Sequence, residues 1–447
     1  WLLAGHYGRP GTTNAFVPLL SVSSSKRQQQ QPTKAPRPGA FSPVTGAKVI
    51  MGLIPCNVIP DEILSEHPKR FRAMLIESAN PVHSLADAQR MRAALRALEL
   101  SVVIDVAMTE TARQADYVLP ASSQFEKAEA TFFNMEFPRN AFHLRQPLFA
   151  PRTGTLSEAE IHARLLEALG ELGPRDYRLL RGAAKLGGTA FGLAFGWQTS
   201  RTPKLRRYAS VLLYRTLGTT LLPQRAPAAS LWGICQMYVR KEPQAAARAG
   251  FGGSPLRAGQ RLFDALLSQP SGVVYAVSDY ADSWAAVKQP EQKIRLDLDE
   301  MLAALEALPP PAPAEADYPF VLSAGERRSD SSNTSVRDAG WHRKGRFGSL
   351  RIHPDDAVAL GLVDGDWARI HTRRGHADAL VELSDEMHLG HVSLPNGQGI
   401  DYQDAEGAVQ RRGVSLNELT NTEDRDPFAG TPWHKFVPAR IEKTVMA

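Results

Sequence analysis

Four polar side chains follow short apolar runs, where an open parallel sheet would present them to a ligand: Glu77, Asp105, Thr109 and Lys127. Glu77 closes the run "AMLIE" and Asp105 lies in "VVIDV", so both carboxylates belong near carboxyl ends of strands, the side of such a sheet where ligands bind. There they can accept hydrogen bonds from ribose hydroxyls or a base edge. Thr109 opens a polar helical turn whose free amides favour an anion, and Lys127 supplies a mobile point charge for phosphate. The set suits a polar, phosphorylated ligand. A plain structural reading stands beside it, with Asp105 capping the next turn and Lys127 a solvated charge. Other chemistries lack their motifs. There is no GxGxxG and no GxxxxGK[ST], and His83, His143, His353, His371 and His376 have no metal-ligand spacing. Neither HExxH nor a serine nucleophile elbow occurs, so no self-contained catalytic centre is legible.

The elements that must hold these residues alternate in type. "AMLIE" (73–77) is bounded by the turn-forming "SANP", and Ser84 with Asp87 gives a helix-capping signal. Leu85, Ala88, Met91, Leu95 and Leu98 then share one helical face, followed by "VVIDV" (102–106), a continuous run expected of a strand covered on both sides. A polar helix over 109–114 leads to "YVL" and Pro120. Strand, helix, strand, helix, strand predicts an α/β fold with a doubly wound, mostly parallel sheet. The region 161–308 reads as helical additions, with "GVVYAVSDY" (272–280) as one more strand. After it the period changes. "HPDDAVALGL" is a short helix with Pro354 at its first position and Gly361 as terminator. "WARIHT" and "HADALVEL" form a hairpin and "HVSLP" another strand, which predicts a small C-terminal β-barrel.

At 447 residues the chain has room for about two to four domains. Residues 21–43 are rich in Ser, Gln and Pro and read as a disordered linker; residues 307–319 read as a stiff Pro/Ala linker. The formal net charge of +5 is small for this length, and no basic stripe with interleaved aromatics argues for nucleic acid. Two cysteines, Cys56 and Cys235, cannot hold a four-cysteine zinc site or an iron–sulfur cluster, and read as buried small hydrophobes in a reducing, cytoplasmic setting. The most apolar stretch, 186–197, is too short to span a bilayer and is followed by basic residues; it reads as a buried helix, with a surface-lying helix as the alternative, and no membrane insertion is expected. The chain opens on Trp1, which reads as the start of a fragment.

Several stretches resemble the molybdopterin oxidoreductases, the family of formate dehydrogenases, nitrate reductases and dimethyl sulfoxide reductase. They are "ESANPVHSLAD", "VVIDVAMTETARQADYVLPASSQFEKAEATFFN" and "LSEAEIHARLLEALG". The tail "IHPDDAVALGLVDGDWARIHTRRGHADALVELSDEMHLGHVSLPNG" with "SLNELTNTEDRDPFAGTPWHK" resembles that family's dinucleotide-binding barrel. The resemblance covers about 46–170 and 318–442 and implies three divisions. These are a partial segment and linker (1–45), an α/β domain (46–316) with a helical insertion at about 171–271, and a six-stranded-type β-barrel domain (317–447).

It also implies a cofactor, bis-molybdopterin guanine dinucleotide carrying molybdenum or tungsten. Position by position, the contacts would come from Glu77, Asn80, Asp105, Thr109, Lys127 and Glu158. Arg327, Arg328, Ser329, Asn333 and Thr334 in "ERRSDSSNT", with Asn396, Asn417 and Lys435, would complete the set. Arginine forks, a lysine and backbone amides are what burial of pyrophosphate-bearing tails requires. Glu126, Lys127, Glu129, Thr131 and Asn134 would border the cofactor and an iron–sulfur region. The family's cysteines for a [4Fe-4S] cluster and its metal-ligating residue have no counterpart here, and Cys56 does not stand in the ligand's place. The resemblance therefore implies the C-terminal portion of a catalytic subunit, inactive alone, with the cluster upstream. The complete enzyme would be of formate dehydrogenase or nitrate reductase type, acting on a small substrate with an electron-transfer subunit as partner. A non-catalytic structural or electron-transfer subunit of the same fold and a guanosine nucleotide-binding module are the alternatives.

Overall fold

The computed structural model describes residues 1–19, 41–50, 52–131, 136–287, 289–308, 310, 315–326, 337, 348–403 and 407–445. The expected linker over 21–43 falls mostly outside the described residues, as do residues 309 and 311–314 of the Pro/Ala linker and Asn134.

The alternating runs become a small parallel layer. Strand β1 (Ala73–Glu77) pairs in parallel with β2 (Leu100–Asp105), and β3 (Tyr117–Pro120) follows it in the order β1-β2-β3. Ahead of this layer lies the short helix α1 (Ile59–Ile63), and between β1 and β2 run α2 (Pro81–Ser84) and α3 (Ala88–Ala97). Met91, Ala94 and Leu95 of α3 bury against Ile76 and Val103, as their helical spacing requires. The cap of α3 is Asp87 rather than Ser84. Asp87 adopts a left-handed backbone (φ +59°) and its carboxylate accepts the Arg90 amide at 2.9 Å, so Leu85 precedes the helix. The polar helix expected over 109–114 shrinks to one 3₁₀ turn, Ala112–Gln114.

The C-terminal alternation closes on itself. Strands β7 (Phe320–Glu326), β8 (Leu350–Ile352), β9 (Trp367–His371), β10 (His376–Leu383), β11 (His391–Pro395) and β14 (Val437–Thr444) form a closed barrel in the order β10-β8-β11-β7-β14-β9. Period-two burial fills it: Leu322 and Ala324, Ala368 and Ile370, and Ala439 and Ile441 all point inward. Closure leaves no open strand edge. The predicted hairpin is the β9–β10 antiparallel pair. The helix between β8 and β9 (Pro354–Ala359) has proline in its first turn and Gly361 left-handed beyond it. A two-stranded ribbon, β12 (Ile400–Gln403) with β13 (Val409–Arg412), stands outside the barrel's strand order, with Ile400 and Tyr402 buried.

The remaining strands, β4 (Glu129–Thr131), β5 (Arg139–Arg145) and β6 (Val273–Val277), form a separate antiparallel sheet. Between β5 and β6 lies a helical body: α4 (Glu158–Ala168), α5 (Pro174–Lys185), α6 (Gly188–Arg201), α7 (Pro203–Arg207), α8 (Ala209–Thr216), α9 (Ser230–Lys241), α10 (Pro243–Arg248) and α11 (Pro255–Ser268). The stretch 186–197 is expected as a buried helix, with a surface-lying helix as the alternative. In α6, however, Phe191 alone is fully buried, while Leu193 and Trp197 are 65% and 51% exposed. Cys235 lies in the core, and burial pushes its thiol far up; Cys56, also expected buried, is exposed. No helix among the described residues is long and apolar enough to cross a membrane.

The chain divides into two compact units that cut across the linear order. One gathers the described residues of Trp1–Gln31 and Pro120–Leu308, and the other those of Pro32–Leu119 and Pro309–Ala447. In the second unit the parallel layer is fastened to the barrel. Arg92 on α3 donates two hydrogen bonds to Glu418 at 2.7 and 2.8 Å, and Arg374 donates to Asp87 at 2.6 Å. Close backbone approach tightens the loops beside this junction. A methyl on Gly399 (φ +73°) would stand 2.0 Å from the Ser415 amide nitrogen. Gly399→Ala should therefore destabilise the unit by about 2 kcal/mol, read as a lower urea midpoint.

Candidate functional site

The parallel register sets the site. Glu77 pairs with Ile104, so Glu77 and Asp105 emerge from neighbouring strand ends, and the chain turns after β1 through Ser78 in a left-handed conformation (φ +52°). Glu77 is exposed and Asp105 half-buried. Burial pushes the Asp105 carboxyl above the usual carboxylate range, although the amides of Val106 and Ala107 and the charge of Arg337 pull the other way. Among the described residues Asp105 makes no ion pair, which leaves its oxygens suited to accept from a ligand.

Behind these strand ends lies a buried polar junction whose hub is Glu110, 6% exposed. Asn80 donates to Glu110 at 2.6 Å, Arg337 donates at 2.9 Å, and the backbone amide of Asp401 donates at 2.7 Å. Burial alone would raise the Glu110 carboxyl; the Arg337 hydrogen bond, the Asp401 amide and the Arg337 charge overrule it and hold the group at about 2. Asn80 also accepts from the Thr111 amide at 3.1 Å and its hydroxyl at 2.8 Å, so one side chain clamps the loops after β1 and β2 together. Thr109 is buried and its hydroxyl accepts the Ala112 amide at 3.1 Å, which ties it to the start of the 3₁₀ turn.

A second clasp joins α2 to the loop that ends in the barrel's 3₁₀ turn, Leu416–Glu418. Asn417 donates to the His83 carbonyl at 2.6 Å and accepts from the Thr420 hydroxyl at 2.9 Å. Burial holds the His83 imidazole below its ordinary value, so it is neutral at physiological pH. Asn396 is half-buried in the loop after β11, where its backbone N–H donates to the Glu326 backbone carbonyl at 2.8 Å. Two residues on, Gln398 is 1% exposed and its Oε1 has no hydrogen-bond partner among the described residues. Lys435 is exposed on the barrel rim, its Nζ 3.6 Å from where a methyl on Gly325 would lie.

Thus Glu77, Asn80, Asp105, Thr109, Asn396, Asn417 and Lys435 all belong to one compact unit. Lys127 and Glu158 belong to the other, where they hold each other. Lys127 is 7% exposed and donates to Glu158 at 2.6 Å and to the Ser122 carbonyl at 2.9 Å. The mobile phosphate-seeking charge expected there is instead a pinned ion pair, because Glu158 opens α4 directly beside it. Arg327, Arg328, Ser329, Asn333 and Thr334 lie outside the described residues. Sequence reasoning missed Glu110, Arg337, Asp401 and Gln398. The signal for Glu110 was faint: a lone acid between two threonines in "TET" that the helix did not need. A separate hollow of about 670 Å³ is lined by α3, Arg373, Arg374 and residues 421–424, and none of the predicted site residues lines it. Its arginines are already paired, Arg374 with Asp87 and Arg90 with Asp61. No three His, Cys, Asp or Glu side chains among the described residues form a metal-binding group.

A parallel α/β layer presenting carboxylates at its strand ends, clasped to a closed six-stranded barrel, defines the architectural class. Residues 3–168 match the family described as molybdopterin oxidoreductase, and residues 320–438 match the molydopterin dinucleotide binding domain. The chain belongs to the molybdopterin oxidoreductase family. It is 24% identical over 396 residues to an F420-dependent formate dehydrogenase 1 subunit alpha of Methanococcus maripaludis, covering 86% of this chain and 45% of that protein. To a dimethyl sulfoxide/trimethylamine N-oxide reductase of Rhodobacter capsulatus it is 25% identical, covering 81% and 40%. To a trimethylamine-N-oxide reductase of Vibrio cholerae it is 37% identical, covering 73% and 36%. The chain therefore spans less than half the length of these relatives. Acetylene hydratase from Pelobacter acetylenicus shares the fold, with a TM-score of 0.50, 17% identity and coverage of 88% of this chain and 47% of that one.

Proposed function

We propose that this chain is the cofactor-holding portion of a molybdenum-dependent oxidoreductase and that its barrel-bearing unit binds molybdopterin guanine dinucleotide. The observation that carries the reading is the shared unit: strand-end carboxylates and barrel loops are locked together by Glu110. The residues fit the group. Asp105 and Glu77 offer acceptors for ribose hydroxyls and a guanine edge, and Lys435 offers a cation for pyrophosphate. Gln398 Oε1 is a buried acceptor with no donor among the described residues, and a base N–H would supply one. Asn80, Thr109 and Asn417 are engaged within the chain, so their part is to fix the loops that carry these groups. The bound cofactor would supply the two-electron chemistry at its metal; the chain's residues bind, orient and exclude water.

The full-length protein would act on a small substrate. We assign formate oxidation, in line with the formate dehydrogenase relatives, with electrons leaving through a partner subunit. A second reading, reduction of an S- or N-oxide, is favoured by the dimethyl sulfoxide and trimethylamine N-oxide reductase relatives. Purified full-length protein should contain molybdenum and release a guanine nucleotide on acid hydrolysis. Formate-dependent dye reduction supports the first reading, and oxide-dependent oxidation of a reduced dye supports the second. Protein without pterin or guanine nucleotide would refute both. Asp105→Asn should weaken retention of the nucleotide by about tenfold in a dialysis assay, with the protein still folded.

A further inference from the structure

We propose that the helical body carries an adsorption surface for anionic membranes, formed by the outward face of α6 and the basic residues of α5 and α7 around it. The charge pattern is the first observation. Residues 177–241 hold 11 of the chain's 52 Lys and Arg and none of its 47 Asp and Glu, whereas in the rest of the chain acids outnumber bases. The small overall charge therefore hides a segregated one. Lys185 at the end of α5, Arg201 at the end of α6, and Lys204, Arg206 and Arg207 on α7 are all exposed, and these three helices pack in succession.

The second observation is what lies among these charges. The inner side of α6 is already satisfied by aromatic packing. Phe191 and Phe195 meet Trp232 edge-on at 5.2 and 5.4 Å, and a methyl on Gly192 would stand 2.4 Å from Leu256. A helix with one apolar side would place polar residues opposite, yet here Leu193 and Trp197, four residues apart on the outer stripe, are 65% and 51% exposed. The next residue on that stripe, Arg201, sets its guanidinium 4.5 Å above the Trp197 ring. An exposed Leu and Trp flanked by cations is the composition of a helix lying in a lipid headgroup region. α6 has 14 residues and packs against α5, α7 and α11, so it is too short to cross the bilayer and adsorbs by its outer face. Nucleic acid would use the cations and the indole but has no use for the aliphatic Leu193.

The test is co-sedimentation of the full chain with vesicles of phosphatidylcholine alone or mixed with phosphatidylglycerol. Binding should appear only with phosphatidylglycerol, fall with added salt, and shift tryptophan emission to the blue. Combining Lys204→Ala, Arg206→Ala and Arg207→Ala should lower partitioning by on the order of 100-fold, about fivefold per cation. Trp197→Ser should abolish the emission shift. Equal binding to both vesicles, no binding to either, or release of bound protein from vesicles by a short oligonucleotide would overturn the proposal. If the triple variant fails to fold, the lipid and salt comparisons on the unaltered chain decide the matter alone.

Discussion

Replacing Glu110 by alanine will destabilise the barrel-bearing unit by about 3–5 kcal/mol, because it strands Arg337 and the Asn80 amide in a buried site. Glu110 receives three separate donors: the Asn80 amide group, the Arg337 guanidinium and the Asp401 backbone N–H. Glu110→Gln keeps the shape but loses the charge, so a smaller loss is expected. Urea titration followed by fluorescence measures both; a midpoint unchanged in Glu110→Ala would show that the junction contributes nothing. The same residue predicts acid sensitivity. Its folded value, about 2, lies below the ordinary 4.5, so the contribution is complete above pH 4.5 and is lost as the pH falls to about 2. The gap corresponds to on the order of 3 kcal/mol, and Glu110→Gln should flatten stability across that window.

The second large effect belongs to the pinned lysine. Lys127→Met should cost the other unit about 3 kcal/mol, since Glu158 and the Ser122 carbonyl lose their buried donor together. Combining Lys127→Met with Glu158→Leu should recover most of that loss, because replacing both members of a buried pair removes the uncompensated charge. Thermal unfolding of the two single variants and the pair completes the cycle. Strict additivity would mean that Lys127 acts elsewhere, and a defect confined to cofactor retention would return it to the phosphate-binding role its sequence position suggested.

Those two residues mark the limits of what was legible. Carboxylates at strand ends could be found because a parallel sheet dictates where its carboxyl edge lies, and "AMLIE" became β1 with the bounds its flanking turn residues implied. The barrel was legible for the same reason: period-two alternation in 376–383 and a proline-started helix at 354 are local signals. Polar hubs were not. Glu110 matters through Arg337 and Asp401, which lie 227 and 291 residues away in sequence, and nothing in the "TET" triplet announces partners at that distance.

The apolar stretch of α6 was undecided in a related way. Its composition favoured burial over a surface-lying helix, but burial depends on how many faces the neighbours supply, and Trp232 and Leu256 supply only one. By itself, then, the sequence determined the element types, the family and the residues at the strand ends, since each rests on spacing within a few turns of chain. The tertiary structure alone decided that the parallel layer joins the barrel, that Lys127 is held by Glu158, and that Leu193 and Trp197 face outward. Those outcomes depend on which distant groups meet in a low-dielectric interior, where an unpaired charge is costly enough to select its partner.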